Sequence, residues 1–124
     1  MNEHEVALKN PLTLAFVGDA VQTLHVRMAL AQTDIKAKEL HKRASAIVCA
    51  TAQAKRFDEI FDNFTAAEKD IAMRARNTDH NTVPKSCTIA EYHKATALEA
   101  TIGYNYLLGN TKRVNEIIGE VHKC

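Results

Sequence analysis

Apolar side chains recur at spacings of three and four along almost the whole of this 124-residue chain. That period is helical, and hardly any stretch alternates apolar and polar residues as a half-buried strand does. Only four Gly and two Pro interrupt it, so helix starts are marked instead by capping side chains. Asn2 with Glu5, Thr65 with Glu68 and Thr88 with Glu91 have the spacing of capping boxes. In such a box the N-cap side chain and an acid three residues on each bind the other's free backbone N–H. Asn10 before Pro11 suits an N-cap and first helical position, because the first turn has no use for the N–H that Pro lacks. Gly109-Asn110 fits the end of one helix and the cap of the next. The pattern predicts an all-α fold, with helices over about 3–9, 11–31, 36–61, 66–76, 89–108 and 112–122. The third carries Leu40, Ala44, Ile47, Thr51, Ala54 and Phe57 on one face. The loop over 76–86, with Pro84 inside it, is longer than helix connections usually are, which points to a working role.

A chain of this length is expected to form one domain over 1–124, large enough to bury a core. Its hydrophobic fraction of 46% and charged fraction of 25% are those of an ordinary globular protein. The net charge of +1 exerts no strong global pull on nucleic acid, so any basic binding face must be local. Asp19, His25 and Arg27 interrupt the longest apolar run before it reaches the length of a membrane span. The N-terminus lacks the basic and apolar regions of a secretory signal. Cys49, Cys87 and Cys124 are widely spaced and form no CxxC pair, which argues against a disulfide framework or a zinc site. Reduced thiols and a cytoplasmic location are the simple expectation.

Asp19 stands where an acid is costly. At helical spacing it shares a stripe with Leu12, Ala15, Phe16, Thr23 and Val26, while Leu14, Val17, Val21, Leu24 and Met28 occupy the other face. A helix that is apolar nearly all round is usually buried. A carboxylate there needs a cation, hydrogen bonds or a metal ion to offset lost hydration. Gly18 beside it weakens the helix by about 1 kcal/mol relative to Ala.

Glu99 repeats the anomaly, on a stripe with Tyr92, Ala95, Ile102, Gly103 and Tyr106. Gly18 and Gly103 would let two helix backbones approach closely and bring the two acids together. Paired carboxylates repel, and at least one pKa rises unless a cation sits between them. A hard divalent ion resolves that conflict, and Mg²⁺ is the usual choice for phosphate chemistry. The plainer alternative is that each acid is solvated or ion-paired, Asp19 with Arg27 or with a lysine of another helix.

The string Leu14-Ala15-Phe16-Val17-Gly18-Asp19-Ala20-Val21 resembles the signature helix of the ribonuclease III family around its Gly-Asp. Leu98-Glu99-Ala100-Thr101-Ile102-Gly103-Tyr104-Asn105-Tyr106-Leu107 is similar to that family's second acidic helix. The likeness is strongest to the short branch, Mini-ribonuclease III, which lacks a double-stranded-RNA-binding domain. It extends to the Asn-x-Leu-x-Leu-Ala near the start, to Arg76-Asn77 followed by Val83-Pro84-Lys85, and to Tyr92 and Ala95-Thr96. Longer members of the family carry further acids at the positions of Leu12, Ala15 and Thr96, and this chain does not.

The resemblance implies a ribonuclease III-type endonuclease domain of about six to seven helices. It implies a homodimer with the Gly-Asp helix at the two-fold seam, cutting double-stranded RNA to leave 5′-phosphate and 3′-hydroxyl ends. Asp19 and Glu99 would be the catalytic and metal-binding residues, holding Mg²⁺, for which Mn²⁺ could substitute. The implied substrate is the large-subunit ribosomal RNA precursor, at the stem formed by its ends. A large-subunit ribosomal protein that presents this RNA would be a fitting partner. Arg74, Arg76 and Lys85, with Asn77 as a hydrogen-bond donor, are the candidates for RNA binding, followed by Lys94 and Lys69. Recognition should rest on phosphates, 2′-hydroxyls and shape, because the major groove of A-form RNA is closed to side chains.

Other chemistries find less support. Neither His41 nor His93 has a partner histidine four residues on. Nothing around the cysteines resembles an activated thiol. A helical nucleotide pyrophosphohydrolase would need clustered acids, whereas Glu116 and Glu120 stand alone on a solvated face. A catalytically inactive RNA-binding or ribosome-assembly factor of the same fold would have no reason to keep two costly acids.

Overall fold

The computed structural model describes residues 1–78 and 83–119. Among these the chain forms α1 (Glu3–Ala7), α2 (Pro11–Leu30), α3 (Ala37–Val48), α4 (Ala50–Ile60), α5 (Ala66–Arg76), α6 (Ile89–Leu107) and α7 (Thr111–Ile118). A 3-10 turn over Phe61–Asn63 follows α4. None of these helices is long and apolar enough to cross a membrane.

The capping boxes form as the sequence anticipates. The Asn2, Thr65 and Thr88 side chains each accept from the backbone N–H of the acid three residues on, and that acid accepts from the cap's own N–H. Asn10 caps α2 through the Leu12 N–H, with Pro11 in the first turn.

α6 is the central element. Its residues from Ala95 to Asn105 are buried apart from Glu99, and α2, α4, α5 and α7 pack around it. One core cluster joins Val21 of α2, Phe57, Phe64, Ala72, Leu98, Ile102, Val114 and Ile117. A second joins Val6, Leu14, Ala15, Ile71, Ala75, Ala100 and Tyr104. α2 and α6 cross in backbone contact. A Cβ at Gly18 would overlap the Glu99 carbonyl oxygen, and one at Gly103 would overlap that of Leu14. Glycine is therefore a requirement of the crossing rather than a tolerated weakness.

Two expected boundaries move. The single helix over about 36–61 is broken at Cys49, whose φ of −68° and ψ of 156° are extended. The apolar face continues across the break, through Ala44, Ala54 and Phe57, so periodicity gives no sign of it. The last helix stops at Ile118, where Gly119 takes a φ of +75°. The remainder of that expected helix, through His122, lies outside the described residues.

A buried ion pair is a further feature that periodicity does not reveal. Arg113 of α7 reaches both carboxylate oxygens of Glu68 at 2.8 Å, and Asn105 of α6 donates to the same group at 2.9 Å. Burial alone would push the Glu68 carboxyl up. The hydrogen bonds from Arg113, the Thr65 backbone and Asn105, with the Arg113 charge, outweigh it and hold the group down at about 2. Arg113 also donates to the Asn63 carbonyl, which ties α7 to the turn after α4.

Candidate active site

The close crossing of α2 and α6 places Asp19, next to Gly18, beside Glu99, one turn before Gly103. The two carboxyls hydrogen-bond to one another. They line a groove of about 560 Å³ walled by α2, the α3–α4 break, the segment before α6, and α6 itself. Asp19 is exposed and Glu99 half-buried. The acid expected in an apolar position thus faces an open cleft: its stripe is apolar because its neighbours line the cleft or pack under it.

Burial pushes the Glu99 carboxyl up to about 8, and the Asp19 charge and hydrogen bond add to this. Among the described residues none of the ion pairs involves either acid, so the alternative of Arg27 as the partner of Asp19 does not hold. A carboxyl–carboxylate hydrogen bond exists only while one proton is shared. Two oxygen-donor groups facing each other with no countercharge among the described residues are a donor set suited to a hard divalent cation, which would replace that proton.

Leu12, Ala15 and Thr96 line the same groove. These are the positions at which longer relatives are expected to carry additional acids, so their side chains surround the pair without adding charge. Phe16, Ser86, Cys87 and Tyr92 complete much of the wall.

The four candidate RNA-binding residues are distributed unequally. Lys85 is exposed between Pro84 and Ser86, both of which line the groove, so it sits at the rim. Arg76 ends α5 half-buried, and the exposed Asn77 is its C-cap. Arg74 instead donates to the Ala7 carbonyl at 2.9 Å and lies 3.8 Å from Asp70, a position that joins α5 to α1. Of the loop between Asn77 and Ser86, residues 79–82 lie outside the described residues. Lys94 pairs with Asp58 at 2.9 Å, and Lys69 lies over the Phe61 ring.

The sequence reading missed Gln53 of α4. It is buried, lines the groove beside Glu99, whose carboxyl it draws down, and donates to the Val48 carbonyl at 2.6 Å. The available signal was a glutamine next to Ala54 and one turn before Phe57, on a face that is otherwise apolar.

One side of α2 is left uncovered by the described residues. Phe16, Leu24 and Met28 are 80%, 56% and 59% exposed. With the exposed Ala20 they recur every four residues, forming one stripe down the helix. Phe16 belongs both to this stripe and to the groove.

Comparison with known proteins agrees with the geometry. Residues 12–110 match the family model described as the ribonuclease III domain. A Mini-ribonuclease 3 from a Thermoanaerobacter species is 42% identical over 88% of this chain and 78% of its own length. One from Staphylococcus aureus is 33% identical over 96% of this chain and 91% of its own. Among solved structures, the X-ray structure of a protein from Fusobacterium nucleatum superposes with a TM-score of 0.84 at 38% identity, covering 90% of this chain and 89% of that one.

Proposed function

The chain belongs to the ribonuclease III family and is an endoribonuclease of that type, and from that premise we propose that it cleaves double-stranded RNA as a Mg²⁺-dependent homodimer, with Asp19 and Glu99 as its catalytic acids. The observation that carries the proposal is the hydrogen-bonded pair of carboxyls at the floor of an open groove, with no cation among the described residues to neutralise it. Family members are in general dependent on a divalent metal, and this donor set fits one. Asp19 and Glu99 would hold Mg²⁺, or Mn²⁺ in its place. When bound, such an ion lowers the pKa of a water for attack on phosphorus and stabilises the leaving 3′-oxygen.

The protein's own groups supply position and affinity. Asp19 and Glu99 are fixed by two packed helices rather than by a loop, which limits their motion at the scissile phosphate. Lys85 at the groove rim, with Arg76 and Asn77 at the end of α5, would meet phosphates and 2′-hydroxyls, with Arg74 contributing from the same helix end. The exposed stripe of Phe16, Ala20, Leu24 and Met28 is the surface on which a second copy would seat. A two-fold dimer would present one groove to each strand of a duplex.

For substrate, the likeness to the short branch supports the large-subunit ribosomal RNA precursor, presented by a large-subunit ribosomal protein, and hence action in the cytoplasm. We take residues 1–124 as a single catalytic domain. The test is incubation with duplex RNA and Mg²⁺ beside Asp19→Asn and Glu99→Gln. The parent should cut and both variants should not; variants that cut as well as the parent would remove the two acids from the site.

A further inference from the structure

Gln53 is 4% exposed, yet it is polar and stands at the groove wall. Its side-chain amide is used on one side only. The nitrogen donates to the Val48 carbonyl at the end of α3, and the amide stands beside Glu99 in the groove lining, where it draws the Glu99 carboxyl down. The oxygen, Oε1, is buried with no hydrogen-bond partner among the described residues. Turning the amide over would set Oε1 against the Val48 carbonyl, so the orientation is fixed by that acceptor. An unsatisfied buried amide oxygen costs about 1–3 kcal/mol. Methionine would fill similar space without that cost but would forgo the Val48 bond, worth about 0.5–1.5 kcal/mol, so on balance glutamine adds little to stability here.

We propose that Gln53 is a positioning residue of the active site, tying the Glu99 carboxylate to the α3–α4 break so that it stays aimed at Asp19. The proposal rests on the reading that Asp19 and Glu99 hold the metal ion. Val48, Cys49 and Ala50 at the break line the groove too, so the amide joins one wall of the cleft to the acid on the opposite helix. A carboxylate held by an outer partner binds an ion in one orientation, whereas a free one must lose rotational freedom first. Removal of such outer partners typically weakens metal binding or activity about 10–100-fold.

The test compares Gln53→Met with Gln22→Met. Gln22 is the other buried glutamine whose Oε1 lacks a partner, and it lies on α2 away from the groove lining. Metal-free thermal unfolding, Mg²⁺ binding by calorimetry, and kcat and KM on duplex RNA are measured for each. Gln53→Met should keep or raise the metal-free Tm, weaken Mg²⁺ binding about 10–100-fold, and lower kcat while leaving KM for RNA unchanged. Gln22→Met should leave Mg²⁺ binding and kcat at parent values.

Parent-like Mg²⁺ affinity and kcat in Gln53→Met would overturn the proposal. So would an equal loss in Gln22→Met, which would mark a general effect of core glutamines. Should Gln53→Met not fold, Gln53→Glu keeps the side-chain shape but replaces the donor facing Glu99 with an oxygen. Its kcat should fall although negative charge is added, and a parent-like kcat would again overturn the role. If Asp19→Asn and Glu99→Gln both cut like the parent, the metal-site reading itself fails. If those two are inactive and Gln53→Met is parent-like, only the role of Gln53 fails.

Discussion

Gly18 of α2 and Gly103 of α6 lie against each other, and each stands where a Cβ would overlap a backbone carbonyl of the facing helix. The acids follow from the glycines. Asp19 is the next residue to Gly18, and Glu99 is one turn before Gly103, so the two carboxyls meet only because the two backbones do.

Alanine at either glycine should therefore destabilise the protein. The clashing atoms are backbone and cannot swing aside, so the cost should be at least the about 1–3 kcal/mol typical of overpacking. In a double-mutant cycle by urea unfolding, the pair should cost less than the sum of the single variants, because the first alanine already separates the helices.

Glu99 makes metal-free stability depend on pH. Its folded carboxyl holds a proton up to about 8, against an ordinary value of 4.5 in the unfolded chain. Between those values the native state binds the proton and the unfolded chain does not, so stability falls as pH rises across the window. The slope cannot exceed about 1.4 kcal/mol per pH unit for one proton. Glu99→Gln should abolish this dependence and raise the metal-free Tm at neutral pH. Mg²⁺ should raise the Tm of the parent at pH 8 but not that of Glu99→Gln.

Glu68 acts in the opposite direction. With its carboxyl held at about 2, the native state resists a proton that the unfolded chain accepts below about 4.5. Its contribution is therefore complete above 4.5 and is lost as pH falls through 2. Glu68→Gln should cost about 3–5 kcal/mol, toward the lower end because Arg113 retains some exposure. The acid limb of an unfolding-against-pH curve should flatten in the variant.

Leu24→Glu or Met28→Glu should convert the proposed dimer to a monomer in analytical ultracentrifugation, with little change in Tm per chain since both side chains are exposed. Cleavage of duplex RNA should fall with the dimer. A parent that sediments as a monomer at working concentration would remove the stripe from the interface.

Arginine and lysine positions should separate in a salt titration. Arg76→Ala and Lys85→Ala should each weaken RNA binding and flatten its dependence on salt, by about one unit of slope for every phosphate no longer neutralised. Arg74 is tied to the Ala7 carbonyl and Asp70, so Arg74→Ala should show a lower Tm alongside any change in affinity. Unchanged salt slopes in Arg76→Ala and Lys85→Ala would remove both from the RNA-binding surface.

Helix identity, most helix starts and the two anomalous acids were legible in the sequence, because these are local properties. Capping needs residues three apart, amphipathic period needs one face, and an acid on an apolar stripe is conspicuous by itself. The matched strings around Gly18-Asp19 and Glu99 to Gly103 added the family. Three features were decided only by tertiary structure. The break at Cys49 leaves the apolar period intact, so no sum over neighbouring residues registers it. The Glu68–Arg113 pair joins residues 45 apart, and Glu68 read alone is only a cap. Gln53 gains its role from Val48 on its own side and Glu99 on another helix. Asp19 itself divides along the same line: its cost was visible from its own helix, but that it opens onto a groove depended on which elements leave that side of α2 uncovered. A local pattern records what each residue prefers, whereas a site depends on which distant residues the packing of α2, α4 and α6 brings within hydrogen-bond reach.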